Sequence, residues 1–335
     1  MPLLLGIETS CDETAAAVVG TDFRILSNVI ASQADLHGRF GGVVPELASR
    51  HHIERLLPVI DEALAQAQVR LEDIGAVAVT RGPGLVGSLT VGMASAKTLA
   101  FTRGIPLVGV NHLEGHLFAN RLDRPLWSLP AVALIVSGAH TDLILMHAEG
   151  RYEILGRTRD DAAGEAFDKV GRMMGLGYPG GPPLDRLAAT GDPARVPLPV
   201  PLVDGGFDFS FSGLKTAALR AWRARPEREE FPRHFAAGFR RAVVEALVGK
   251  VFRAVETYRP RAVMFAGGVA ANSLLRERAE AEAARRRLPL LIPAPILCTD
   301  NAAMIAGAGA ARLLRGETDR LDLSVSADLP LSLPA

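Results

Sequence analysis

LLLGIETSCDETAAAVVG, residues 3–20, and AVALIVSGAHTDLILM, residues 131–146, share one shape. Each is a run of apolar and small residues, a short polar turn, and a second such run. Short apolar runs bounded by turn residues read as strands. In the first stretch the strands are 3–7 and 15–20, with a polar turn over 8–14. A second pair of segments also corresponds. AVAVTRGPGLVGSLTVGMASAKTLA (76–100) and AVMFAGGVAANSLLRERAEAEA (262–283) both read strand, Gly loop, helix. A hairpin followed later by strand, Gly loop and helix therefore occurs twice. The expectation is an α/β protein of two internally duplicated lobes facing each other.

The second copy is interrupted. Residues 157–190 look helical around the Gly/Pro-rich GLGYPGGPP. Pro193, Pro197, Pro199 and Pro201 then break the chain, and 232–258 reads as a long amphipathic helix. Residues 150–258 are thus expected to form a mainly helical insertion in the second lobe. The stretch PAPILCTDNAAMIAGAGAARLLRG reads as a strand end, a capping turn and a helix whose small residues permit close packing on a sheet. The expected boundaries are 1–110 plus 300–335 for the first lobe and 111–299 for the second.

With 335 residues, 48% of them hydrophobic, the chain can bury cores for two domains. Lys plus Arg equals Asp plus Glu at 37 each, so no global basic field advertises nucleic acid. Any basic surface for RNA must be local or come from a partner. Two cysteines, Cys11 and Cys298, give no disulfide framework. The opening MPLLLGIETSCDE lacks a basic n-region, and the apolar stretches are too short to span a bilayer. The reading is a soluble cytoplasmic protein with no membrane partner.

GVNHLEGHLFAN (109–120) carries His112 and His116, four apart. On a helix they share one face and both can reach one metal. The metalloprotease pattern H-E-x-x-H needs Glu directly after the first His. That place is Leu113, and Glu114 points to the opposite side, so a protease is disfavoured. Two histidines at this spacing are also compatible with an ordinary helix. Asp300 in CTDNAAM is the candidate third ligand, although an acid opening a helix is expected for dipole reasons alone. Together the three would make a two-His, one-carboxylate set with open positions, suited to Fe(II), Zn(II) or Mn(II). The two-lobe reading has both segments border the cleft between lobes.

Four turns, ETSCDET, SGAHT, AGGVAANS and YPGGPPLD, suit phosphate, because Gly and Ser let backbone N–H groups converge. No G-x-x-x-x-G-K-[ST] is present. GPGLVG (82–87) matches G-x-G-x-x-G, but Pro83 removes an N–H and the next strand ends in Asn111 rather than an acid. Dinucleotide binding is disfavoured. Asp168 and Lys169 alone read as a solvated helix face, and Asp185 and Asn272 as helix caps. The run RERAEAEAARRR (276–287) reads as a solvated helix end more readily than as a phosphate contact.

Taken together, GIETSCDETA, RGPGLVGSL, NHLEGH, RTRDDAAGEAFDKVGRMMGLGYPGGP, FSFSGLK, AGGVAAN and CTDNAAMIA resemble the bacterial branch of the tRNA threonylcarbamoyladenosine synthesis family, its threonylcarbamoyl transferase subunit. The resemblance runs from about residue 3 to residue 311. It implies the two-lobed actin/Hsp70/sugar-kinase fold (ASKHA) and an acyltransferase. The implied reaction moves threonylcarbamoyl from threonylcarbamoyl-AMP to N6 of adenosine 37, in tRNAs reading codons that begin with A. It implies that His112, His116 and Asp300 hold one divalent metal per subunit, Fe(II) favoured and Zn(II) the alternative. By the same resemblance Ile135, Val136, Ser137, Gly138 and Ala139 form the substrate-phosphate hairpin. Asp168, Gly181, Asp185 and Asn272 then serve the nucleotide. Glu8, Ser10, Asp12 and Glu13 belong to the first hairpin, and His140 and Glu13 are the candidates for a general base. The implied partners are tRNA, a degenerate paralogue subunit and a small ATPase.

One departure stands out. The family usually has SGGHT where this chain has SGAHT, so Ala139 is strained by about 1 kcal/mol if it occupies positive φ and harmless otherwise. The rival readings are an ATP-dependent small-molecule kinase or carbamoyltransferase on the same fold, and a non-catalytic scaffold. The scaffold is expected to lack the two-His set that this chain keeps.

Overall fold

The computed structural model describes residues 1–122, 124, 127–201 and 205–331. The chain divides into two compact units, Met1–Trp127 with Thr299–Ala335, and Ser128–Cys298. The strands of the first unit are β1 (Leu3–Glu8), β2 (Glu13–Gly20), β3 (Ile25–Ser32), β4 (Ile74–Gly82) and β5 (Leu107–Asn111). Those of the second are β6 (Ala131–Val136), β7 (Thr141–Ala148), β8 (Arg151–Arg157), β9 (Ala262–Ala266) and β10 (Leu290–Leu291). In chain order the helices are α1 (Ala34–Gly38), α2 (Pro45–Ala67), α3 (Val86–Arg103), α4 (His112–Phe118), α5 (Ala163–Met173) and α6 (Gly181–Ala188). They continue with α7 (Ser212–Arg223), α8 (Phe231–Tyr258), α9 (Ser273–Arg285), α10 (Pro295–Cys298) and α11 (Ala302–Leu314). Among the described residues no helix is long and apolar enough to cross a membrane.

The first sheet runs β3-β2-β1-β4-β5 and the second β10-β9-β6-β7-β8. Read from its other end, the second repeats the first. The first strand of each copy pairs antiparallel with its hairpin partner and parallel with the strand that precedes the Gly loop. This is the duplicated architecture that the two hairpins foretold.

In the first unit β1 is covered on both faces. Leu5 and Ile7 meet Leu56, Val59 and Ile60 of α2 and Met93 and Ala96 of α3. Gly6, on the opposite face by strand alternation, lies so close to α11 that a Cβ there would stand 2.3 Å from Ala302 O. Gly309 of α11 meets Ala78 of β4 in the same way, its Cβ position 2.5 Å from Ala78 Cβ. The small residues of AAMIAGAGAARLL therefore seat α11 directly on the sheet, as expected. In the second unit Val132, Leu134 and Val136 of β6 pack with Phe167 of α5 and Phe235, Phe239 and Leu247 of α8 in one core.

Several details differ from the sequence reading. Residues 151–157, read as the start of a helical insertion, form β8 and pair with β7. RYEILGR is too short for its periodicity to separate strand from helix, and the repeat itself was the usable signal. The helix α8 is buried on every side along much of its length rather than amphipathic, from Phe235 through Val255. The segment before the capping turn is the short helix α10, with the strand β10 lying earlier. Residues 111–127, which the sequence boundary gave to the second lobe, group with the first unit.

Candidate functional site

The two histidines belong to a helix made rigid at its start. Asn111 ends β5 and caps α4, its Oδ1 accepting from the N–H groups of Leu113 (2.9 Å) and Glu114 (3.4 Å). Every residue of α4 is buried, Glu114 included. The imidazoles of His112 and His116 stand with ring centroids 4.7 Å apart and planes at 81°. Asp300 lies just before α11. The cap of α11 is Asn301, whose Oδ1 accepts from Met304 N at 3.0 Å. The acid was expected to open this helix. The neighbouring asparagine does so instead, leaving the Asp300 carboxylate to face the histidines. Asp300 Oδ1 is 3.5 Å from His112 Nε2 and 3.2 Å from His116 Nε2.

All three residues lie in the first unit, and their ligand atoms fall within 4.8 Å of one another. His116 is fully buried; its Nε2 faces the same Asp300 oxygen as His112, and its Nδ1 makes no hydrogen bond among the described residues. One shared acceptor satisfies two buried imidazoles poorly, and a cation among the three groups would satisfy them better. Two nitrogens and one carboxylate oxygen match the donor set of a divalent transition metal. Electrostatics agree. Burial pulls the His112 imidazole toward its neutral form, but Asp300 and Glu8 outweigh it and hold it well above its ordinary value. Burial works against the Asp300 carboxylate too, and His112 and His116 hold it well below the usual range. The position favours positive charge.

The first hairpin surrounds this set. Glu8 is fully buried and Ser10 nearly so. Asp12 and Glu13 are partly exposed, and Glu13 accepts from Ser32 Oγ at 3.3 Å. Burial, with Asp300 and Asp12 adding to it, pushes the Glu13 carboxyl up to about 9. The Cys11 thiol is likewise pushed up by burial and nearby acids, and is inert as a nucleophile. His52, absent from the sequence reading, clamps the turn by bonding Thr14 Oγ1 (2.7 Å) and Cys11 O (3.0 Å). The GPGLVG loop is filled by protein backbone. Gly84 N donates to Ala327 O and Leu85 N to Ser10 O.

The second unit holds the other predicted residues. Ile135 and Val136 are fully buried in β6, so their side chains face the core. Ser137, Gly138 and Ala139 form the accessible tip. Ser137 Oγ accepts from the N–H groups of Ala139 (3.4 Å) and His140 (3.1 Å), and Ser137 O accepts from Gly164 N (3.1 Å) at the start of α5. A Cβ on Gly138 would meet nothing within 4 Å. Among the described residues, the non-glycine residues at positive φ are Phe23, Gln68, Arg259 and Arg287, so Ala139 is unstrained. Gly267, at φ +89°, brings the AGGVAANS loop against Val136 O, which a Cβ would approach to 2.4 Å.

Asp168 is not simply a solvated face. Its Oδ1 accepts from Gly180 N (2.8 Å) and Gly181 N (3.0 Å), pinning the YPGGPP loop. Asp185 caps no part of its own helix. It accepts from Asn272 Nδ2 (2.9 Å) and Ser273 N (3.1 Å), so α6 is tied to the start of α9. Asn272 does cap α9, as expected, through Leu275 N at 3.1 Å. Arg240, which the sequence reading missed, completes this knot with a 2.8 Å ion pair to Asp185. Its signal was an arginine inside an apolar helix. In the run 276–287, Arg285 and Arg286 pair with Glu282, and Arg286 also with Glu256.

Residues 24–307 match the family described as tRNA N6-adenosine threonylcarbamoyltransferase. A relative of that name from Symbiobacterium thermophilum is 56% identical over 99% of this chain and 97% of its own length. The chain belongs to this family. Another tRNA N6-adenosine threonylcarbamoyltransferase, from Bacillus licheniformis, is 52% identical over 98% of this chain and 97% of its own. Solved structures support the actin/sugar-kinase fold alone. Component A of the Acidaminococcus fermentans (R)-2-hydroxyglutaryl-CoA dehydratase superposes with a TM-score of 0.57 at 14% identity, covering 93% of this chain and 97% of that one. HypF of T. kodakarensis gives 0.63 at 14% identity, over 94% of this chain and 48% of its own.

Proposed function

We propose that this chain transfers the threonylcarbamoyl group from threonylcarbamoyl-AMP to N6 of adenosine 37 in tRNAs reading codons that begin with A. The observation that carries this reading is the buried His112, His116 and Asp300 set in a chain of the threonylcarbamoyltransferase family. In the reaction the adenine N6 forms a bond to the carbamoyl carbon, the bond from that carbon to the phosphate oxygen breaks, and AMP leaves. The N6 proton passes to a base or to water.

His112, His116 and Asp300 would hold one divalent metal per chain, Fe(II) in preference to Zn(II), which would supply Lewis-acid charge for the carbamoyl group. The chain's own residues do the remaining work. The hairpin tip Ser137, Gly138 and Ala139 holds the phosphate, with the Gly138 N–H as its donor because Ser137 N donates to His140 O and Ala139 N to Ser137 Oγ, and the same contact stabilises the phosphate as it leaves. Asp168 and Gly181 fix the loop beside it, and Asp185 and Asn272 orient the nucleoside. Adenine N6 is a poor nucleophile, so alignment is the main contribution to rate. His140, next to the hairpin tip, and Glu13 of the first hairpin are the candidate bases.

With formal net charge zero, tRNA binding draws on partners. These are a degenerate paralogue subunit and a small ATPase, and the work is done in the cytoplasm. The test is nucleoside mass spectrometry of tRNA from a host depleted of its own enzyme. Rescue by this gene and not by its His112→Ala version is the expected result. Equal rescue by both would remove the metal role. No rescue by either, even with the chain's own partners supplied, would overturn the assignment.

A further inference from the structure

The carboxylate of Glu8 is completely buried at the end of a central strand, a costly place for a charge without a partner. Both its oxygens are committed. Ser10 N donates to Oε1, and Thr80 Oγ1 donates to Oε2 at 2.6 Å. Oε2 also lies 3.1 Å from His112 Nδ1, on the side of the ring away from Asp300. Ser10 Oγ approaches the same nitrogen at 3.2 Å. The two nitrogens of His112 thus face different neighbours. Nδ1 meets the Glu8 carboxylate and the Ser10 hydroxyl, while Nε2 points toward Asp300 and His116.

We propose that Glu8 is a positioning residue. It accepts the Nδ1–H of His112 and so fixes the tautomer and ring angle that present the Nε2 lone pair to a divalent metal. This deepens the proposed function and rests on its metal reading. Metal-bound histidines need such a second partner to hold orientation and raise basicity. Thr80 acts one step further out, by holding Oε2 in place. Because β1 and β4 are adjacent strands of one sheet, the carboxylate sits on a rigid support.

The isosteric change Glu8→Gln tests this sharply. If the new NH2 takes the Oε2 place, it donates to Nδ1 and drives the proton onto Nε2. If it takes the Oε1 place, it faces the N–H of Ser10, donor against donor. The first orientation keeps the shape and loses the function; the second keeps the bond from Nδ1–H only at the cost of an unpaired Ser10 N–H.

The experiment is metal titration of stripped full-length protein with Zn(II), and anaerobically with Fe(II), in competition with a chromophoric chelator. Wild type, Glu8→Gln, Thr80→Val and His116→Ala are compared. The expected result is affinity about 10- to 100-fold weaker in Glu8→Gln, a smaller loss in Thr80→Val, and no binding in His116→Ala. Nitrogen-15 spectra of the zinc-loaded wild type should show His112 protonated at Nδ1 and ligated at Nε2. Wild-type affinity in Glu8→Gln, with binding lost in His116→Ala, overturns the role of Glu8 and leaves the metal reading intact. No stoichiometric binding in wild type overturns the metal reading and this inference with it. If circular dichroism finds Glu8→Gln unfolded, Thr80→Val decides, and unchanged affinity there overturns the proposal.

Discussion

Asp300 places its Oδ1 3.2 Å from Nε2 of His116, joining the last turn of α4 to the start of α11, far apart in sequence. Each helix is capped by an asparagine beside the ligand. Asn111 precedes His112, and Asn301 follows Asp300. Because the asparagines satisfy the free N–H groups at both helix starts, the histidine and the aspartate are left free to serve as ligands.

His116→Leu should separate function from stability. The change removes a buried ring nitrogen, Nδ1, that makes no hydrogen bond, a group worth about 1–3 kcal/mol when unsatisfied, and this offsets the loss of the Nε2 contact to Asp300. The metal-free variant should unfold at equal or higher urea concentration than the metal-free wild type. Its metal content should fall to background and its transfer rate drop by about 100-fold or more. A marked loss of stability would mean that the contact to Asp300 outweighs the unsatisfied nitrogen.

Gly6→Ala should destabilise the first unit. Its Cβ would lie 2.3 Å from Ala302 O and 2.9 Å from Ala306 Cβ, both on α11. Backbone cannot yield cheaply, so the expected loss is about 2–3 kcal/mol, read as a lower urea midpoint at unchanged m-value. Gly138→Ala, whose Cβ meets nothing within 4 Å, is the control and should change stability by less than about 1 kcal/mol.

Much of this was legible because the fold is written twice. The hairpins at 3–20 and 131–146 stood out by their unbroken apolar runs, which strands buried on both faces require. The outer strands β3 and β8 did not. ILSNVIAS and RYEILGR mix polar and apolar residues, because an outer strand is less covered. Among site residues, His112 and His116 were visible from spacing alone. Asp300 was ambiguous, because an acid near a helix start has an ordinary explanation. The partners of Asp168 and Asp185 were invisible, since contacts to Gly180, Asn272 and Arg240 depend on how loops meet, which no periodicity records.

Asp185→Asn should weaken both structure and substrate binding. It strips the charge partner from Arg240, which is mostly buried, and loosens the tie to Asn272. Stability should fall by about 2 kcal/mol. The KM for threonylcarbamoyl-AMP should rise about tenfold, equivalent to about 1.4 kcal/mol, with kcat less affected. An unchanged KM would confine Asp185 to a structural part.

The Asp161 cluster should set acid sensitivity in the second unit. Burial pushes this carboxyl up, but Lys169 and Lys215 outweigh it and hold it below its ordinary 3.8. A carboxyl lower in the folded than in the unfolded chain stabilises the fold above the unfolded value and loses that contribution as pH falls through the folded one. Asp161→Asn should therefore lower stability by about 1 kcal/mol at neutral pH, modest because both lysines are partly exposed. The gap between variant and wild type should close below about pH 4. Urea midpoints measured from pH 3 to pH 7 would show it. A gap constant down to pH 3 would rule out the ion pairs as its source.

Ala139→Gly, which restores the SGGHT form, should not stabilise the protein. Ala139 is not at positive φ, so the methyl relieves no strain by leaving. Glycine instead adds freedom to the unfolded chain and to the tip, and stability should fall by about 0.5–1 kcal/mol. Activity separates two further possibilities. If the methyl crowds the phosphate, the glycine variant gains affinity for threonylcarbamoyl-AMP despite its lower stability. The neighbouring Gly138 has open space around its Cβ position, and Ala139 N is already turned toward Ser137 Oγ. The tip thus has room for the methyl, and the expected result is an unchanged KM. A fall in KM would show that this chain's alanine narrows the site that its relatives leave wider.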